Sequence, residues 1–377
     1  MWPFAEPSAL AEAAARVRDW PLLIADAGRE GLAGLLAARL TQTRPSGVPP
    51  QVMDELERLR RLSAQRSLRM AGQLLRILEA FEQHGIEALP IKGPVLAQDV
   101  YGDPTVRMSC DLDILVRPCA AAAAHRVLLE NGFEDEGHHS ARQLRRLGRE
   151  RELHLRRRGG EPMVDLHWRL ATGYSPNAFD TDRVFSNMRI MTLLGREVPT
   201  LGRTDQFLLS ILHGSKHAWQ GLELRLAVAV QVAGMPPSAW PGLCARARRL
   251  GCLRRLAVGV DHACRPFPVA VPVEIQRLRA RDLRAPSYER YLRGVAGGEV
   301  GCGGRGRSFD HLAALWWQVR SEDRGRDALE SLALRIVLPS IEDWDAVALP
   351  ERLEWLYWCL RPARLVAKYS RQVSRRA

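Results

Sequence analysis

Residues 91–116 read IKGPVLAQDVYGDPTVRMSCDLDILV, from Ile91 to Val116, and the parsing of this stretch decides the fold. Ile86–Ile91 is a short apolar strand candidate whose turn is Lys92-Gly93. Pro94 suits the first position of a helix, where its missing N–H costs nothing. That helix, Pro94–Tyr101, ends at Gly102-Asp103-Pro104. From Asp111 to Val116 the chain reads as a strand, ended by Pro118. On a strand, residues i and i+2 share a face. Asp111 and Asp113 therefore project together, while Leu112, Ile114 and Val116 enter a core.

Outward from this segment, residues 8–43 read as helices, with Leu32, Leu35, Leu36 and Leu40 at helical spacing. A turn-rich break at Arg44–Pro50 is followed by a long helical pattern from about Val52 to His84, closed by Gly85. Ala120–Asn131 is a helix stopped by Gly132, and Glu152–Arg158 and Met163–Trp168 are strands around Gly159-Gly160. From Thr204, expected to cap a helix carrying Phe207, Leu208, Ile211 and Leu212, the pattern is helical again. The glycine-rich run Gly297–Arg307 lacks the Gly-Lys-Ser/Thr of a phosphate loop and reads as a flexible connection. The expectation is α+β: a small mixed sheet at 80–200, an N-terminal helical subdomain at 1–79 and a C-terminal helical domain at 201–377.

Composition narrows the class. At 377 residues, two or three domains are expected, and 46% hydrophobic with 26% charged residues is ordinary for a globular protein. No apolar run reaches the roughly 18 residues of a membrane span. The N-terminus lacks the basic and apolar regions of a signal peptide, and the seven cysteines are scattered without C-x-x-C spacing. Both fit reduced thiols and a cytoplasmic location. The net charge of +12 suits a polyanionic partner: nucleotide, nucleic acid or anionic membrane. Of 55 basic residues only Lys92, Lys216 and Lys368 are lysines. A lysine retained in so arginine-rich a chain marks a place where a compact ammonium serves better than a planar fork.

Two carboxylates on one strand face repel each other and desolvate poorly without a cation. Magnesium resolves the conflict by taking one or two carboxylates plus substrate phosphate oxygens. Gly93 lets backbone N–H groups approach a phosphate at a helix start, and Lys92 adds a point charge. Arg107 could bind a further phosphate oxygen or pair with a carboxylate. Downstream, Asp165 shares a strand face with His167 in Met163–Trp168. It could complete a metal site or act as general base, with His167 orienting it or touching substrate.

This constellation resembles the DNA-polymerase-beta-like nucleotidyltransferase superfamily, and within it the bacterial group called uncharacterised nucleotidyltransferases. The matching motifs are Lys92-Gly93, Tyr101-Gly102-Asp103-Pro104, Arg107, Asp111-Leu112-Asp113, Asp165-Leu166-His167-Trp168 and the later Leu212–Trp219, spread over roughly residues 70–235. The resemblance implies an enzyme with Asp111, Asp113 and Asp165 as catalytic acids and ligands of two Mg2+ ions. It implies a nucleoside triphosphate substrate; read from the residues themselves, Lys92, Gly93, Arg107 and Lys216 are candidate nucleotide contacts, and His167 and His213 candidate substrate contacts. Two departures stand out. Pro94 occupies the place of the usual serine, and no acid occurs in Leu224–Ala229, where the group carries an aspartate.

His213 and His217 are four apart on a helix, but without a third ligand they do not make a zinc site. A poor strand before Asp111 argues against a phosphatase D-x-D, and the helical region before it argues against a glycosyltransferase. The remaining rival is a non-catalytic nucleotide-binding or scaffold protein. Aromatic Trp355–Leu360 and the basic stretch Arg361–Ala377 suit peripheral membrane contact, although a docking helix with a solvated basic end is the simpler reading. No aromatic-plus-basic RNA motif supports nucleic acid, so a small-molecule, peptide or protein acceptor is favoured.

Overall fold

The computed structural model describes residues 7–135, 152–158, 160–170, 179–282, 286–287, 289, 292, 319–337, 339, 343, 346–347 and 349–374. The glycine-rich run at 297–307 lies outside the described residues. Helices α1 (Pro7–Arg16), α2 (Trp20–Arg29) and α3 (Ala33–Thr43) precede α4 (Pro50–Gln83). Helix α4 has 34 residues, about 51 Å at 1.5 Å per residue, and serves two cores. Its Leu56 packs with Ala14, Trp20, Ala37 and Leu40, whereas Met70, Leu74, Ile77 and Phe81 pack beneath the sheet.

The sheet comes from β1 (Ala88–Pro90), β2 (Asp111–Val116), β3 (Phe133–Asp135), β4 (Glu152–Arg157) and β5 (Gly160–His167). Helix α5 (Pro94–Tyr101) joins β1 to β2, and α6 (Ala121–Glu130) follows β2. Strand order is β1-β2-β5-β4-β3, with β2 and β5 parallel and the other pairs antiparallel. Leu112, Ile114, Val116, Val164 and Leu166 point to one face, where α4 and α6 cover them. The chain is thus α+β. Strand β3 and the hairpin of β6 (Arg189–Leu193) and β7 (Arg196–Thr200), which follows α7 (Thr181–Ser186), were not anticipated from the sequence. Leu194 and Gly195, both at positive φ (49° and 79°), make the tight turn that a two-residue hairpin needs.

The opposite face of the sheet meets the C-terminal helices. The described ones are α8 (Arg203–Lys216), α9 (Leu222–Ala233), α10 (Trp240–Leu250), α11 (Leu253–Cys264), α12 (Val273–Arg281), α13 (Gly325–Val337) and α14 (Tyr357–Ser374), of which α8 to α12 contribute to the core on this face. Leu89, Ile91 and Leu115 join Phe207, Leu208, Ile211, Trp219 and Val228 in one core. The threonine cap expected at Thr204 is not formed: α8 begins at Arg203 after Gly202, without a side-chain cap. A Cβ at Gly202 would stand 2.5 Å from the Asn187 carbonyl oxygen, so tight packing against the preceding loop sets this start. No helix among the described residues is long and apolar enough to cross a membrane. In α14, Arg361 and Arg364 are drawn to Asp343 at 3.0 and 2.5 Å, while Trp358 and, just before the helix, Trp355 are exposed.

Candidate active site

Register, more than proximity in sequence, assembles the acids. Asp113 stands directly opposite Asp165 on the adjacent parallel strand, and His154 of β4 stands opposite Asp165 on its other side. Glu152 is likewise paired with His167. The period of two then puts Asp111, Asp113, Asp165, His167, Glu152 and His154 on one face. It is the face that Leu115 shares with the C-terminal helices.

Asp113 is the hub. Lys92 Nζ donates to its Oδ1 at 2.6 Å, and His167 Nε2 donates to the same oxygen at 3.0 Å. The other ring nitrogen, His167 Nδ1, lies 3.0 Å from Glu152 Oε2. Burial works against the charge on Asp113, but the Lys92 ammonium and His167 outweigh it and hold the carboxyl far below its usual range. His167 is desolvated too, yet the two carboxylates that grip its ring push it up to about 9. Glu152 is penalised by burial and still drawn down to about 2 by His167 and Lys216.

Asp111 is the exception. Burial, then Asp113 and Asp165, raise its pKa, and it has no ion-pair partner among the described residues. Asp165 is engaged by His154, whose Nδ1 lies 2.6 Å from Oδ1; this bond raises the His154 pKa. Asp113, Asp165 and His167 each present a ligand atom within 4.8 Å of the others, a group able to hold a metal ion.

In the metal-free protein this buried cluster should make stability fall at alkaline pH. His167 titrates at about 9 in the fold and at about 6.5 when unfolded, so the fold binds more protons between those values. Its contribution, on the order of 3 kcal/mol, is complete below pH 6.5 and is lost as pH rises through about 9. Melting temperatures recorded from pH 6 to 10 in chelator should decline, and His167→Gln should flatten the decline.

Gly93 caps α5 with φ 63° and ψ −134°, a backbone conformation open to glycine and strained for other residues. Gly93→Ala should therefore cost about 1–3 kcal/mol in denaturant unfolding. Space does not forbid the methyl group, since its nearest neighbours, the Asp111 carbonyl oxygen and Ser109 Oγ, would lie at 3.5 and 3.6 Å. A loss of less than a few tenths of a kcal/mol would contradict the strain.

Arg107, one of the candidate phosphate ligands, is turned to Glu223 at the start of α9, with Nε 2.6 Å from Oε1. Its Nη1 also donates to Ser109 Oγ at 3.2 Å. Burial opposes the charge on Arg107, but Glu223 raises its pKa further. Lys216, at the end of α8, is exposed and makes no ion pair within 4 Å among the described residues. Its nearness is felt by Glu152 and by His213. His213 is kept neutral at physiological pH by burial and by the Lys92 ammonium.

The turn after α8 is unusual: Ala218 and Trp219 take positive φ of 49° and 57° in succession. Trp219 is buried between Gly214 and Gly259, where added Cβ atoms would come within 2.5 and 2.4 Å of its ring. That wedge, stabilised by indole burial, sets where the helix carrying His213 and Lys216 ends.

Sequence reading missed Glu152, His154, Ser109 and Glu223. The alternation of Glu152-Leu153-His154 carried a usable signal for the first two. Glu223 stands one residue before Leu224–Ala229, the segment that carries no acid.

Residues 16–268 match a family described as uncharacterised nucleotidyltransferase. No curated protein matches. Among solved structures, the antibiotic-resistance factor ANT(2'')-Ia matches with 11% identity and a TM-score of 0.35. The match covers 52% of this chain and 98% of that one; it was described in solution as showing substrate-regulated conformation dynamics.

Proposed function

Because the chain belongs to the family of uncharacterised nucleotidyltransferases, we propose that it moves a nucleoside monophosphate from a nucleoside triphosphate to an acceptor hydroxyl or phosphate, releasing pyrophosphate. The observation that carries this reading is the meeting of Asp113 with Asp165 across two parallel strands, with Asp111 two residues away. The donor set fits divalent ions. Among the described residues Asp111 is an unpaired, partly desolvated acid, and Asp113 is neutralised by Lys92 and His167, groups that can exchange their partner.

Asp111 and Asp113 would hold a magnesium ion with the triphosphate, and Asp113 with Asp165 a second ion on the acceptor side. Bound there, the ions supply charge stabilisation for in-line displacement at the α-phosphorus. The bond from the acceptor oxygen to that phosphorus forms as the α–β phosphoanhydride bond breaks. Asp165 takes the proton of an acceptor hydroxyl, and His154 holds its carboxylate in place. Lys92 exchanges Asp113 for a phosphate oxygen, beside the backbone of the Gly93 turn. Ser109 Oγ stands at this turn and offers the hydroxyl that Pro94 lacks. A direct phosphate contact by Arg107 would strip the Glu223 carboxylate of its cation, so Arg107 serves by holding Ser109. Lys216, exposed and without an ion pair among the described residues, is available to the triphosphate.

The test is to incubate the chain with each labelled nucleoside triphosphate, a divalent ion and cell extract. Label should move to an acceptor with stoichiometric pyrophosphate, and Asp111→Ala should do neither. Equal turnover by Asp111→Ala would sink the assignment. Nucleotide binding by calorimetry, with no pyrophosphate for any acceptor, would favour a binding protein.

A further inference from the structure

We infer that the acceptor-side cation site is a mixed nitrogen–oxygen one, in which His167 Nε2 joins Asp113 and Asp165 and selects a first-row transition ion over magnesium. The inference rests on the nucleotidyl-transfer reading for the name of the site, and on His167 for its content. The ligand atoms of these three residues already lie within 4.8 Å of one another. His167 Nε2 and Asp113 Oδ1 are 3.0 Å apart. Two ligands at right angles, each about 2.1 Å from one ion, are separated by about 3.0 Å.

The far side of the ring carries the stronger argument. Nδ1 is held by Glu152 at 3.0 Å. Metal-bound histidines typically give their second N–H to a carboxylate, which fixes the tautomer and aims the other nitrogen at the ion. His167 is buried at 6% exposure on the central strand β5, so its ring has little freedom to turn away. Asp111 stands outside the cluster, which leaves the nucleotide-side position with oxygen donors alone. Magnesium is a hard ion that takes oxygen ligands, whereas an imidazole favours transition ions. The two positions therefore differ in donor chemistry.

The metal-free chain of 377 residues is titrated with Mn2+ alone, and pulsed electron paramagnetic resonance reads nitrogen coordinated to the bound ion. The wild type should bind one Mn2+ with nitrogen coupling and prefer it to Mg2+ by at least about tenfold. His167→Gln should lose the coupling, weaken Mn2+ by about 10–100-fold and bring the two ions towards parity. Since that variant could fail to fold, Glu152→Gln is the second: it keeps the nitrogen coupling while weakening Mn2+ about tenfold. Mn2+ bound without nitrogen coupling, or an Mn2+/Mg2+ ratio untouched by His167→Gln, overturns the inference and leaves nucleotidyl transfer standing. A folded wild type that binds neither ion and releases no pyrophosphate overturns both.

Discussion

Asp111→Asn is expected to lower pyrophosphate release by about a thousandfold while leaving the melting temperature unchanged or higher. A bound ion contributes several kcal/mol to the transition state, and about 4 kcal/mol is a factor of a thousand in rate. The stability half follows from the site. Asp111 is desolvated, repelled by Asp113 and Asp165 and unpaired among the described residues, so its charge is a cost to the fold. Asn keeps the shape and removes the cost. Asp113→Asn should behave differently, losing both rate and stability, because Lys92 and His167 would be left around a neutral group. Parallel turnover and thermal melts of the two variants check this contrast. A large stability loss in Asp111→Asn would mean that its carboxylate is structural.

Arg107→Ala is expected to destabilise the protein by about 3–5 kcal/mol, the cost of stranding a buried partner charge. The pair is enclosed, with 13% and 12% of the two side chains exposed. It joins the loop before β2 to the first turn of α9, 116 residues away in sequence. Substituting both partners, as Arg107→Met with Glu223→Leu, should recover most of the loss, since a well-packed apolar pair is often as stable as a buried ion pair. Urea unfolding of the single and double variants measures it. A single-variant loss below about 1 kcal/mol would identify a solvated pair of the surface kind.

The elements that carry the candidate site were legible from local pattern. Pro94–Tyr101 and Asp111–Val116 have the boundaries that proline placement, glycine termination and strand alternation dictate. Strand β3 was missed because its three residues, Phe133–Asp135, are too few to carry a period. The β6–β7 turn was missed because Leu194 is not a residue that announces a left-handed conformation. Thr204 misled because a capping side chain is a local preference, and the packing of Gly202 on Asn187 overrode it.

By itself the sequence determined that Asp111 and Asp113 share a face, that Asp165 shares one with His167, and that a glycine turn with a lysine precedes them. Those are consequences of a period of two and of backbone sterics, which act between neighbours in the chain. Only the tertiary structure decided that Asp113 faces Asp165, that Lys92 and His167 converge on one oxygen, and that Arg107 spends its charge on Glu223. Strand register and ion pairing between distant residues are settled by which surfaces pack together, and no local period carries that information.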